Sequence, residues 1–195
     1  MRIHLPSRLK RFVTCFIGAR RGATAVEFAL VAVPLLGLIL GTVELALVIM
    51  VTTSLETATE TASRMIRTGE FQSSAANTRA DFRNLVCNGM SWLQNQCNAN
   101  LTVHVQVFND FQTLAANQPL PGNSFLPPPN PPPPTCFAPG QPSDIVLVRV
   151  YFTWPLVAPL LTFMDNTGNG RRLISFATAF RNEPFNNNPP GGAAC

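Results

Sequence analysis

Residues 29–51 read ALVAVPLLGLILGTVELALVIMV, 23 in a row with a single charge, Glu44. At about 1.5 Å per residue a helix of that length covers roughly 34 Å, enough to cross the hydrocarbon core of a bilayer. Six of the 14 Lys/Arg precede it, Arg2, Arg8, Lys10, Arg11, Arg20 and Arg21, and no Asp or Glu appears before Glu27. The segment 1–22 carries +6, and the remainder sets eight basic against ten acidic residues. The next basic residue after Arg21 is Arg64, so the positive-inside rule puts the leader in the cytoplasm and the C-terminal body outside. A nucleic-acid-binding domain is disfavoured, because its basic stripe belongs on the folded body. A secretory signal peptide fits poorly, since Ala23-Thr24-Ala25 precedes the apolar run instead of following it. Export through the bare pair Arg20-Arg21 carries little information, and a buried core helix does not account for the charge asymmetry. The total of 195 residues suits one modest domain with an appendage.

Two carboxylates interrupt the pattern. Glu27 sits at the cytoplasmic edge of the apolar run and Glu44 well inside it. Carboxylates at membrane depth cost a few kcal/mol, so each calls for a partner or a role. A tilted helix would set Glu44 at headgroup depth. Gly22 lies between charged leader and apolar helix, where a residue without a side chain lets extended backbone enter a protease cleft. Cleavage there would create an amine at Ala23, four residues from Glu27 on one helix face. The carboxylate can pair with that amine, or with the amine of a neighbouring subunit.

The stretch Arg20-Arg21-Gly22-Ala23-Thr24-Ala25-Val26-Glu27-Phe28 resembles a type IV prepilin processing site. The resemblance implies cutting by a prepilin peptidase after Gly22, with Ala23 first in the mature chain, Glu27 fifth and Phe28 in the aromatic position that follows. Residues 20–44, RRGATAVEFALVAVPLLGLILGTVE, are similar to the N-terminal signature of TadE-like pseudopilins of the tight adherence (Flp-type) pilus assembly system. Gly-x-x-Glu at 41–44 completes the match, and Pro34 falls about one position late. The family implies pilus assembly or anchoring, surface attachment and biofilm formation. Its partners would be the peptidase, other pilins or pseudopilins, inner-membrane assembly proteins and membrane lipid. More loosely, the C-terminal body shares a cysteine pair, an aliphatic strand running into Tyr-Phe-Thr-Trp-Pro and a closing Phe-Arg-Asn-Glu-Pro at 180–184.

Beyond the apolar run the helical period continues. Leu55, Ala58, Ala62 and Met65 form one stripe, and Gly69 is a plausible stop. This stripe is too weak for a buried core of its own, and reads as a stalk or as a surface for equivalent helices of a filament. A second amphipathic helix is predicted over 78–94, with Phe82, Leu85, Val86 and Leu93 on one face. Strands are predicted over 101–108, 144–154 and 172–181, the last after a turn at 165–170. The connection 109–143 holds 11 of the 18 prolines and favours polyproline II, more as spacer than as recruitment site. The fold class expected is α+β: a leader (1–22), a transmembrane helix with its extension (23–68), and a periplasmic domain (69–195) with about three antiparallel strands and a Pro-rich loop at 119–142.

Cys15 lies in the leader; Cys87, Cys97, Cys136 and Cys195 lie in the exported body. An even count outside the cytoplasm suits two disulfides with three pairings. Cys87–Cys97, stapling the second helix to the first strand, is favoured, and Cys136–Cys195 follows by elimination. No Cys-x-x-Cys exists and His104 is the sole histidine of the body, so neither a metal site nor a cofactor is expected. His104, on the polar side of its strand, reads as a surface residue. Asp165-Asn-Thr-Gly-Asn-Gly looks faintly like a calcium loop, but the position that needs Glu is Phe176. No nucleophile–base spacing or phosphate loop supports an enzyme. The rival reading is an uncleaved single-pass membrane protein whose extracytoplasmic β domain binds a ligand or envelope partner.

Overall fold

The computed structural model describes residues 23–75, 77–116, 137–157 and 164–185. The chain divides into two compact units, 1–43 and 44–195. Helix α1 (Ala23–Arg67) begins in the first and ends in the second. In the first unit it is apolar on every side: Phe28, Leu30, Val31, Val33 and Leu38 are each 64–75% exposed. A helix hydrophobic all round asks for an apolar solvent, and α1 is long and apolar enough to cross a membrane. The threonines along α1 do not break it, because the hydroxyls of Thr42, Thr52, Thr57 and Thr61 donate to carbonyls three or four residues back.

In the second unit α1 is the central core element. Val51, Leu55, Ala58, Ala62 and Ile66 are buried in the body. The stripe expected to be a stalk or an intersubunit surface is therefore covered by the chain itself. The period of a helix tells which face is buried, not what buries it. α1 ends where Gly69 takes φ 78°, its N–H donating to the carbonyl of Ile66. A Cβ at Gly69 would stand 2.4 Å from the ring of Phe185, so the position excludes a side chain twice over.

A single helical turn, α2 (Glu70–Ser73), leads to α3 (Arg79–Gly89), which opens on a capping box between Thr78 and Asp81. The helix predicted over 78–94 stops at Gly89, and the chain reverses through a 3₁₀ turn (Ser91–Leu93) into α4 (Gln94–Asn100). The reason is the Cys87–Cys97 disulfide, whose Cα atoms are 5.4 Å apart. One continuous helix would hold those residues roughly 15 Å apart. The expected pair is thus present, but it ties α3 to α4 and not directly to the first strand. Cys136 and Cys195 lie outside the described residues. Closing a loop of this length stabilises by about 3 kcal/mol. The double variant Cys87→Ala/Cys97→Ala should therefore unfold at clearly lower denaturant than the wild type; coincident unfolding curves would contradict this.

Strands β1 (Leu101–Phe108), β2 (Ile145–Pro155) and β3 (Arg171–Arg181) form one antiparallel sheet in the order β1-β2-β3. Val103, Val105, Val148, Val150 and Phe152 turn one face onto the helices. Phe82 of α3 is fully buried there, edge-on to Phe71 and tilted against Phe137 at centroid distances of 5.7 and 5.9 Å. The connection between β1 and β2 starts with a helix, α5 (Phe111–Ala116), where a proline-type spacer was expected. Asp110 caps it, accepting from the N–H of Thr113, and the first proline comes only at 119. Residues 117–136, which hold the proline runs, lie outside the described residues, and Phe137 rejoins the sheet by a parallel bridge to Val105.

Candidate functional site

The residues marked out by the sequence lie at two places on α1. Ala23 is the first residue of the helix and Glu27 follows one turn later, a rise of about 6 Å. Glu27 is exposed, and Phe28 is 75% exposed. Gly22 and the basic leader lie outside the described residues. A carboxylate one turn from a helix start is where the positive end of the helix dipole favours it.

Glu44 is different: it is 4% exposed, at the start of the second unit. Its carboxylate accepts from the indole N–H of Trp154 at 3.4 Å and from the backbone N–H of Val157 at 3.2 Å. A buried carboxylate needs such donors, and the end of β2 with the two residues that follow it supplies them, because they reach the N-terminal turn of the body's share of α1. Nothing in the sequence near Glu44 points to Trp154, which lies 110 positions away. Glu44→Leu leaves two donors without an acceptor and is expected to lower stability by about 1–3 kcal/mol, whereas Glu44→Gln keeps an acceptor and loses less. Thermal unfolding of the detergent-solubilised chain checks this, and equal losses for the two variants would refute the acceptor role.

The closing motif at 180–184 has a structural role that periodicity does not reveal. The side-chain amide of buried Asn182 donates to the carbonyls of Pro139 and Gln141 at 3.0 and 3.1 Å. The Glu183 N–H donates to the carbonyl of Arg67 at 2.9 Å, and its carboxylate faces Arg67 Nε at 3.2 Å. This motif fastens the end of β3 to the end of α1 and to the 139–144 turn.

The body's polar groups form no reactive constellation among the described residues. His104 is half-buried opposite Arg149 of β2, not a free surface residue as its alternation predicts. Burial lowers its pKa and the charge of Arg149 lowers it further. Partial burial on the second face of β1, an edge strand, is what its sequence pattern alone does not disclose. A cavity of about 360 Å³ is lined by Thr78, Arg79, Arg83 and Thr102 among others, without a carboxylate, histidine or cysteine. Among the described residues no three His, Cys, Asp or Glu converge as a metal site.

The 165–170 segment is a tight turn built on one side chain. The Asp165 carboxylate accepts from the backbone N–H groups of Thr167, Gly168 and Gly170, and from the Thr167 hydroxyl. Gly168 and Gly170 take positive φ to aim those groups inward. The Thr167 N–H leads in holding the Asp165 pKa down, from 3.8 to about 2. A depressed carboxylate stabilises the fold above its unfolded pKa, and that contribution fades as pH falls from about 4 through about 2. In acid unfolding, wild type and Asp165→Asn should therefore differ above pH 4, with the gap narrowing as pH falls through about 2; a gap as wide at pH 2 as above pH 4 would contradict the assignment.

Residues 22–64 match the model of a family described as TadE-like protein. No curated protein and no solved structure matches the chain. The match covers both carboxylate positions and starts at Gly22, in agreement with the resemblance of residues 20–44. The match is consistent with a TadE-like protein of the tight adherence pilus system, and the apolar helix near the N-terminus suggests a single-pass membrane protein.

Proposed function

We propose that this protein is a minor pseudopilin, cut after Gly22 by a prepilin peptidase and acting without catalysis in assembling or anchoring a tight adherence pilus. The observation that carries the reading is the TadE-like match, which begins at Gly22 and runs through the apolar part of α1. The leader orients the helix in the inner membrane and is discarded; the body stands in the periplasm, where the Cys87–Cys97 bond persists. Other pilins or pseudopilins and inner-membrane assembly proteins are its partners, and surface attachment and biofilm formation are the outcome. Glu27 serves as the partner of the Ala23 amine, in its own subunit or the next.

Mass spectrometry of the N-terminus tests this in cells with and without the peptidase. The expected mature chain begins at Ala23 only when the peptidase is present. A chain that still begins at residue 1 beside an active cognate peptidase would remove the pseudopilin reading and leave an uncleaved membrane protein with a ligand-binding body.

A further inference from the structure

In the order β1-β2-β3 the third strand is an edge, and no further strand lies beyond it among the described residues. One contact shows which of its backbone groups face outward. The N–H of Leu173 donates to the side-chain carbonyl of Asn166 at 2.7 Å, and the carbonyl of Leu173 accepts from the same amide at 3.0 Å. Both groups of Leu173 therefore point away from β2, and the two-residue period of a strand points those of Ser175, Ala177 and Ala179 the same way. The Arg171 carbonyl is also taken, by the hydroxyl of Thr167. Side chains thus close the edge at 171–173, and from Ser175 to Ala179 no described group pairs with it.

The open stretch lacks the devices that keep an edge solitary. Leu173 to Phe180 holds no charge and no proline. Ser175, Ala177 and Ala179 are exposed and small, so a second backbone can lie flat beside them. Phe176 and Phe180, on the helix-facing side, are only partly buried and offer apolar surface to the side chains of an added strand. Charge stands at the two ends, on exposed Arg171 and Arg181, with Arg172 beside the first donating to the carbonyl of Met164. The acids near them are engaged: Asp165 holds the N–H groups of its own turn, and Glu183 faces Arg67. We propose that Ser175–Ala179 is a strand-addition site for an extended segment of a partner protein, uncharged through its middle and acidic at both ends. Backbone bonds at Ser175, Ala177 and Ala179 hold that segment, and the flanking arginines select it. A second copy of β3 fits less well, because antiparallel pairing about Ala177 sets Arg181 of one copy diagonal to Arg171 of the other on one face. The inference concerns the body alone and holds whether or not the chain is cut after Gly22.

The probe is a fluorescent peptide of alternating valine and threonine with aspartates at both ends, added to the detergent-solubilised full chain. Bound peptide should slow hydrogen exchange at the Ala177 and Ala179 amides about tenfold. Ala177→Pro removes an N–H that β2 does not use, so circular dichroism should stay unchanged while peptide affinity falls about tenfold. A peptide N-methylated through its middle should lose as much, and it tests backbone pairing without altering the protein. Lysines in place of the terminal aspartates should weaken binding about tenfold at low salt. Amides that stay unprotected, or equal affinity for methylated and unmethylated peptides, overturn the site. Equal affinity for lysine-ended and aspartate-ended peptides overturns the acidic partner. Protection that rises with protein concentration in the absence of peptide assigns the edge to a second copy and overturns the proposal as well.

Discussion

Glu27→Val is expected to reach the membrane in normal amount, to be processed, and to leave pilus assembly at background. Removing a charge near the edge of an apolar helix makes insertion no harder, since a carboxylate there opposes partition into lipid. What the substitution removes is an anion one helical turn from the amine that cleavage at Gly22 would create. A pair between those charges in a medium of low dielectric is worth far more than the same pair in water, and the surviving amine would be left without a counter-charge. Immunoblots of membrane fractions and imaging of pili separate the two effects. Glu27→Gln refines the test: it keeps size and hydrogen bonding, so its failure would locate the requirement in the charge. Full pili from the Val variant would withdraw the role assigned to Glu27, while leaving the processing site untouched.

Phe82→Ala is the substitution expected to cost the body most in stability, about 3–5 kcal/mol. Phe82 is fully buried, and it meets Phe71 beyond the end of α1 and Phe137 where the chain rejoins the sheet. Truncation opens a cavity shared by three separate chain segments, which cannot all close upon it. The edge-on contact with Phe71 is lost as well. The expected result is a large shift of the denaturant midpoint with an unchanged Cys87–Cys97 bond, because that bond stands at the far end of α3. Phe82→Leu, which retains most of the volume, should lose less than half as much. A loss below about 1 kcal/mol for the alanine variant would mean that the three rings do not act as one packed unit.

The two carboxylates of α1 show where legibility ends. Both were conspicuous as charges in an apolar run, because the physics that makes them costly is local: a window of residues and a solvent. The same holds for the helix stop at Gly69 and the strands predicted at 101–108 and 172–181, each a matter of period or turn chemistry within a few residues. The partner of Glu44 is of another kind. Trp154 lies 110 positions along the chain, and only the antiparallel pairing of β2 between β1 and β3 carries it back to the start of the body. The break at Gly89 is a local event that the period does not show: a helical pattern continues through 94, and the chain instead reverses through a 3₁₀ turn that brings Cys97 back to Cys87.

By itself, then, the sequence disclosed the helix long and apolar enough to cross a membrane, the family signature and the α+β order of elements, all set by short-range periodicity and by transfer between water and lipid. The tertiary structure alone decided what covers the Leu55–Ile66 stripe, why Asn182 and Glu183 close the chain onto the 139–144 turn and Arg67, and how Glu44 is satisfied. Those are contacts between distant segments. They depend on which faces meet, and a one-dimensional pattern records that a face is apolar without recording its partner.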